Sequence, residues 1–285
     1  MKNTPDIYIR LFRVKHYIKN LLIFAPLFFS GDLFTKKFLD AFIGFISFCL
    51  VSSFIYIIND IMDAEKDRKH PVKCHRPIAS GDVSPAQAIV MSIVLMILAI
   101  TIVFFFDYIS ENQFIWLLIY LLINTGYSLG GKNIPVLDIF LLSMGFLLRI
   151  VFGGAVCNIQ VSSWLYMTVI VLSFYFGLGK RRNELKTVNS NETRKVMKDY
   201  TVDFLDRNMY MCLAVGIVFY SLWALERSQK LLWTIPIVLV ICMKYNLILE
   251  SNYDGDPVPT LLASPLLILL SIIYLCIVFL SIYLL

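Results

Sequence analysis

The stretch "AFIGFISFCLVSSFIYIINDIMDAEKDRKHPVKCHRPIASG" (41–81) sets a long apolar run against an abrupt block of charge. The run ends at Ile58, and the next begins near Ala86. Between Asn59 and Gly81 lie four acids, five Lys or Arg and two histidines. An α-helix needs roughly 20 apolar residues to cross a bilayer, and the first part of this stretch supplies them. Eight further runs of this kind follow or precede it, which makes nine: about 17–35, 38–58, 86–106, 112–130, 135–155, 162–179, 208–225, 231–249 and 261–284. Hydrophobic residues make up 59% of the chain and the mean hydropathy is +0.75, whereas soluble domains are about 45–50% apolar. Backbone polar groups in lipid must be satisfied within the spanning element, and runs of this length mean helices rather than barrel strands. The expectation is an all-α polytopic membrane protein of about nine transmembrane helices. Residues 1–285 form one transmembrane domain in this reading, with no soluble domain attached.

Charge gives the orientation. With a cytoplasmic N-terminus, the inside segments hold 19 of the 25 Lys and Arg, counting Lys19. The outside loops hold Lys36, Lys37, Arg227 and Lys230. Cytoplasmic loops carry the excess of Lys and Arg, so both long polar loops, 59–85 and 180–207, are expected on the cytoplasmic face. The basic start before "LLIFAPLFF" lacks a small-residue cleavage pattern and reads as a retained first helix. Six scattered cysteines form no CxxC and read as packing residues.

The acids of the first loop have a helical spacing. At about 100° per residue, Asn59, Asp60, Asp63 and Asp67 share an arc roughly 100° wide. Carboxylates gathered this closely raise one another's pKa, and a divalent cation relieves the repulsion. Their oxygens suit Mg²⁺, which commonly shares its shell with substrate phosphates. Arg68, Lys73 and Arg76 follow, with Pro71 and Pro77 stiffening the turn. Acids for a metal followed by bases for an anion is what a Mg²⁺–diphosphate needs. His70 and His75 have no third partner at ligand spacing. The bland alternative is a solvated loop of i,i+4 ion pairs.

Other polar residues interrupt the apolar pattern. "RVKHYIKN" (13–20) supplies Arg13, Lys15, Lys19 and Asn20, in part as ordinary membrane anchors. "NTGYSLGGKNIPVLD" (124–138) supplies Tyr127, Ser128, Lys132 and Asp138. Arg149 lies well inside an apolar run, where insertion scales put the cost of an Arg at about 2.5–3.5 kcal/mol. It is therefore expected to face a polar cavity, with Asp138 a candidate to share it. "LGKRRNELK" (178–186) and "DYTVDFLD" (199–206) add Lys180, Arg181, Glu184, Tyr200, Asp203 and Asp206, a second and weaker acidic cluster.

"NDIMDAEKDRKHPVKCHRPIASG" (59–81) resembles the NDxxDxxxD motif of the UbiA superfamily of intramembrane prenyltransferases. Its continuation, DRxHPxKxxRPIASG, is similar to that of the decaprenyl-phosphate phosphoribosyltransferase branch. So are "VKHYIKNLLIFAPL", "YSLGGK" with Asp138, "LLRIVFGGA", "GKRRNEL", "YTVDFLD" and "DGDPV", in order along nearly the whole chain. The resemblance implies a helical bundle capped by cytoplasmic loops, in a bacterial inner membrane. It implies transfer of phosphoribose from 5-phosphoribosyl 1-diphosphate (PRPP) to a polyprenyl phosphate, with Mg²⁺ and release of diphosphate. The motif positions carry the metal–diphosphate to Asn59, Asp60, Asp63 and Asp67, with Lys19 and Arg76 completing the catalytic set. Asn20, Arg68, Lys73, Tyr127, Lys132, Arg149, Lys180, Arg181, Glu184 and Tyr200 are the implied substrate contacts. The usual second DxxxD of aromatic-acceptor members is replaced here by Lys180, Arg181 and Glu184, which suits a donor with a second phosphate.

A non-catalytic membrane scaffold leaves the aspartate spacing unexplained, and two further rivals stand beside it. One is a prenyl diphosphate donor with an aromatic or other lipid acceptor, which has the same leaving group. The other is a transporter, but transporters more often place charge at the bilayer midplane. No nucleic-acid partner is expected, and neither chain length of the lipid nor oligomeric state follows from the sequence.

Overall fold

The computed structural model describes residues 4–69, 72–105, 111–187, 195–250, 257–262 and 264–284. Its "DGDPV" motif, apart from its last two residues, and His70 and Pro71 lie outside these. Among the described residues there are helices and turns and no strand. The α-helices are α1 (Thr4–Leu11), α2 (Ala25–Ser30), α3 (Lys37–Met62), α4 (Ala64–Arg68), α5 (Pro85–Phe105), α6 (Glu111–Leu129), α7 (Leu137–Val156), α8 (Ser163–Thr187), α9 (Val202–Arg227), α10 (Ile235–Glu250), α11 (Pro257–Leu262) and α12 (Pro265–Tyr283).

The expected nine spans are not all met. Among the described residues, six helices are long and apolar enough to cross a membrane: Lys37–Met62, Pro85–Ile102, Leu137–Val156, Val202–Arg227, Gln229–Glu250 and Pro265–Tyr283. The three remaining runs are helical but differ for separate reasons. Gln113–Leu129 is apolar but shorter. The end of α8 carries Lys180, Arg181, Arg182, Glu184 and Lys186, so its apolar part is diluted. The first run is mostly a 3₁₀ helix, Val14–Phe24, that passes into the short α2.

The chain divides into two compact units. The first comprises Met1–Phe28, Asp32–Ser128 and Leu148–Ile159; the second comprises Phe29–Gly31, Leu129–Leu147 and Gln160–Leu285. In the first unit, Phe48, Val51 and Ile55 of α3 pack with Ala99 of α5, Leu117 and Tyr120 of α6, and Leu148 and Phe152 of α7. On α5 the buried residues Ala88, Ser92, Leu95 and Ala99 recur at helical spacing. Its exposed side carries Ile89, Ile93 and Ile97 beside Val90, Val94 and Leu98. A continuous apolar stripe of this kind would be a liability in water. It is the surface a helix presents to lipid.

The 3₁₀ helix decides where the N-terminal polar residues go. With three residues per turn, positions i and i+3 eclipse, so Tyr17, Asn20 and Ile23 share one edge. Tyr17 hydrogen-bonds Ser53 at 2.7 Å, and Asn20 donates to Cys49 Sγ at 3.1 Å. A Cβ on Gly153 would lie 2.0 Å from the Ile23 carbonyl oxygen, so this approach of α7 requires glycine.

In the second unit α8 runs along α9. Tyr175 and Leu178 pack with Leu205 and Met209 of α9, Tyr245 and Leu249 of α10, and Leu267 of α12. Thr201 caps α9 by accepting from the Phe204 amide at 3.1 Å.

Candidate active site

The motif acids lie at the end of a membrane-length helix. α3 stops at Met62 and α4 starts at Ala64, with Asp63 (φ −95°, ψ 2°) as the hinge residue between them. The helix expected through all four positions is thus broken. Its hydrogen bonding nevertheless persists, because the Asp63 amide donates to Asn59 O at 2.9 Å and the Asp67 amide to Asp63 O at 2.8 Å. Asp60 and Asp67 consequently keep a common side, and both are buried. Asp63 is half-buried.

The two buried carboxylates share one cation. Arg76 Nη1 donates to Asp60 Oδ1 at 3.1 Å and to Asp67 Oδ2 at 2.6 Å. Arg13 Nη2 also donates to Asp60 Oδ1, and the Arg13 guanidinium lies 4.9 Å from the Tyr56 ring centre. Arg68 Nε donates to Ala79 O at 3.3 Å, which ties α4 to the RPIASG turn. Asn59 Oδ1 accepts from the Ser128 hydroxyl. Lys73, Tyr127 and Lys19 are half-buried in the same unit.

Among the described residues no three His, Cys, Asp or Glu side chains gather closely enough to hold a metal alone. Two carboxylates do converge on a single nitrogen, however, and that is a cation's place between hard oxygen donors. Mg²⁺ keeps several waters and is commonly bound through one or two carboxylates plus substrate phosphates. The donor set therefore fits Mg²⁺ in company with a phosphate ligand.

Arg149 is also buried in the first unit. Its Nε donates to Asn20 Oδ1 at 2.8 Å and its Nη2 to the Tyr120 hydroxyl at 3.1 Å. The guanidinium lies 5.2 Å from the ring centres of both Phe48 and Tyr120. Aromatic faces and neutral oxygens thus take up a charge that lipid would not tolerate.

The second unit has its own ion cluster. Arg181 and Asp138 are both fully buried, and Arg181 Nε donates to Asp138 Oδ2 at 2.5 Å. Arg181 Nη1 donates to Glu184 Oε2 at 2.6 Å. Tyr200 donates to Asp138 Oδ1 at 2.6 Å. Burial first, and then that carboxylate, push the Tyr200 phenol above its ordinary pKa, so it keeps the proton it donates. Arg182 donates to Asp206 Oδ1 and, at 3.4 Å, to the Leu249 carbonyl. Lys180 and Lys132 are half-buried.

Asp138 is bonded to Arg181 and Tyr200 in the second unit, and Arg149 to Asn20 and Tyr120 in the first. Arg181, expected among the phosphate contacts, has its charge answered by carboxylates inside the protein. Asp203, of the weaker acidic cluster, is exposed and pairs with Arg207 through Arg207 Nε at 3.0 Å. In the sequence Arg13 is one of several basic residues at the start of the first helix and Tyr120 does not stand out, whereas the structure puts Arg13 on Asp60 and Tyr120 on Arg149. The sequence signal for Tyr120 is a phenol set among the apolar residues of 114–123.

An all-helical fold with membrane-length helices, and buried aspartates gathered where one of them ends, defines an intramembrane class of protein. Comparison with known proteins makes the class specific. Residues 22–258 match the UbiA prenyltransferase family, and the chain belongs to that family. It is 31% identical over 296 residues to the decaprenyl-phosphate phosphoribosyltransferase of Corynebacterium glutamicum, covering 99% of this chain and 88% of that protein. It is also 31% identical to the enzyme of that name from Mycolicibacterium smegmatis, covering 90% of this chain and 86% of the relative. The fold is similar to that of a UbiA homolog from Archaeoglobus fulgidus solved with GPP and Mg²⁺. The TM-score is 0.73 at 20% identity, covering 97% of this chain and 99% of the other.

Proposed function

We propose that this protein transfers 5-phosphoribose from PRPP to a polyprenyl phosphate, releasing diphosphate and leaving a polyprenyl-phosphoryl 5-phosphoribose. The observation that carries the reading is the pair of buried carboxylates, Asp60 and Asp67, joined through one Arg76 nitrogen. The choice of substrates is supported by the phosphoribosyltransferase relatives, which align over nearly the whole chain.

Asp60 and Asp67, with Asp63 and Asn59 beside them, would hold Mg²⁺ against the donor's diphosphate. A bound Mg²⁺ supplies charge neutralisation at the leaving group. Arg13 and Arg76 then turn from carboxylates to phosphate oxygens, which Arg grips as a planar fork. Lys19, Arg68 and Lys73 add positive charge from the same unit. The bond between ribose C1 and the diphosphate oxygen breaks, and its electron pair leaves with the diphosphate. An oxygen of the lipid phosphate forms the new bond to C1. That oxygen is already anionic, so no strong general base is required, and catalysis consists of positioning plus stabilisation of the leaving group.

Lys132 and Lys180 are the proposed contacts of the donor's 5-phosphate. Asn20, Tyr127, Arg149 and Glu184 are proposed to shape the substrate environment. Both units serve one transmembrane domain in this reading. The excess of Lys and Arg in the polar loops supports a cytoplasmic active face in a bacterial inner membrane.

The test uses purified protein with a polyprenyl phosphate, Mg²⁺ and radiolabelled PRPP. Diphosphate release with label in the lipid extract is the expected result. Inert PRPP, with a prenyl diphosphate consumed in the presence of an aromatic acceptor, would overturn the assignment and leave the family membership standing.

A further inference from the structure

Residue 136 is a valine with φ +68°. A β-branched residue in the left-handed region is a genuine outlier, because its side chain crowds the backbone. The Leu137 amide donates to Pro135 O at 2.8 Å, which closes a three-residue turn around Val136. A γ-turn with positive φ at its centre is the rare and strained form. Such conformations persist only where the surroundings over-determine them.

The surroundings here are specific. The Val136 amide donates to the Tyr200 hydroxyl at 2.6 Å. That hydroxyl donates in turn to Asp138 Oδ1 at 2.6 Å, and Asp138 is fixed by Arg181 at 2.5 Å. The turn follows directly on the segment that carries Lys132. Asn133 and Ile134 donate back to Gly130 and Gly131 at 2.9 and 3.2 Å, and the rigid Pro135 comes next. Whatever fixes Val136 also fixes the far end of the Lys132 segment.

We propose that Tyr200 is a positioning residue whose hydroxyl, aimed by Asp138, holds the Val136 amide and so maintains the strained turn that sets the Lys132 segment. This differs from the direct substrate contact expected of Tyr200, and hydrogen-bond capacity argues for the difference. A phenol has one proton to donate. Tyr200 gives that proton to Asp138, so while the clamp holds it has none for a phosphate oxygen.

The inference rests on the phosphoribosyl reading only for its kinetic test. Tyr200→Phe removes the hydroxyl and keeps the ring that stacks on Phe204 at 5.9 Å. In PRPP kinetics it should raise KM about tenfold, with kcat within about threefold of wild type. Glycine adopts positive φ without strain, so a turn built on it needs no clamp. Tyr200→Phe made together with Val136→Gly should therefore cost less than about twofold relative to Val136→Gly alone. An equal loss in both backgrounds would overturn the proposal, since a hydroxyl acting on substrate is blind to residue 136. Hydrogen exchange in detergent gives an arm independent of activity. Tyr200→Phe should speed amide exchange in 131–137, and unchanged protection there would overturn the clamp. If the wild-type protein consumes no PRPP, the functional reading fails, and the exchange measurement still decides the clamp.

Discussion

The two ion clusters are built from the same chemistry and differ in access. In the first unit, buried Asp60 and Asp67 meet arginines that keep contact with solvent: the Arg13 side chain is 17% exposed and the Arg76 side chain 29%. In the second, Arg181 and Asp138 are both 0% exposed. A cation at the edge can change partners, whereas a cation sealed in with its carboxylate cannot do so without leaving a buried charge. On the proposed function, exchange falls to the first cluster and architecture to the second.

The sharpest way to break that assignment is to remove one acid from the first cluster. Asp60→Asn or Asp67→Asn should lower PRPP turnover by roughly 10²–10³-fold, because the leaving diphosphate loses its stabilisation. Thermal melting in detergent should change little, since each asparagine still accepts from Arg76. EDTA should silence the wild-type protein and added Mg²⁺ restore it. Full activity in chelator would sink the metal reading.

The same substitution in the second cluster should do the reverse. Asp138→Asn leaves one acceptor oxygen for the two donors that Asp138 serves, Arg181 Nε and the Tyr200 hydroxyl, sets an NH2 donor against the other, and leaves the sealed Arg181 with Glu184 as its carboxylate partner. Breaking a buried pair from one side costs about 3–5 kcal/mol. The expected result is a clear fall in melting temperature. A protein that melts like wild type yet is inactive would move Asp138 into the exchanging class.

How much of this was legible in the sequence follows from which forces act locally. The apolar runs and the 0/3/7 spacing of Asp60, Asp63 and Asp67 were readable, because a helix's hydrogen bonds and periodicity are local. The break at Asp63 was not, because the amide bonds of Asp63 and Asp67 keep the helical register across it. The edge shared by Tyr17, Asn20 and Ile23 was also hidden. It depends on a 3₁₀ geometry that packing against Gly153 accompanies, and α-helical spacing would have scattered these residues. Arg181 looked like one of three equal bases in "GKRRNEL", and only tertiary structure separates it from Lys180.

Lys180 sharpens that separation. It adjoins Arg181 in sequence but is half-buried rather than sealed. A charge-assisted hydrogen bond to phosphate contributes about 1.5–3 kcal/mol. Lys180→Ala should therefore cost roughly ten- to a hundredfold in kcat/KM for PRPP, with unchanged melting and unchanged affinity for the lipid phosphate. Equal losses for both substrates would mean that Lys180 does not distinguish the donor.

The smallest expected effect belongs to Asp203, and it tests whether the second cluster has any exchanging acid. Asp203 belongs to the weaker acidic cluster that the sequence offers between residues 180 and 207. Its side chain is 70% exposed and its partner Arg207 is 78% exposed, one helical turn away on α9. Exposed i,i+4 pairs are screened by water and contribute little. Asp203→Ala should leave PRPP turnover within about twofold of wild type, with the Mg²⁺ requirement unaltered. A loss comparable to that of Asp60→Asn would show that this loop supplies a metal-binding acid after all. The division between an exchanging first cluster and an architectural second one would then fail.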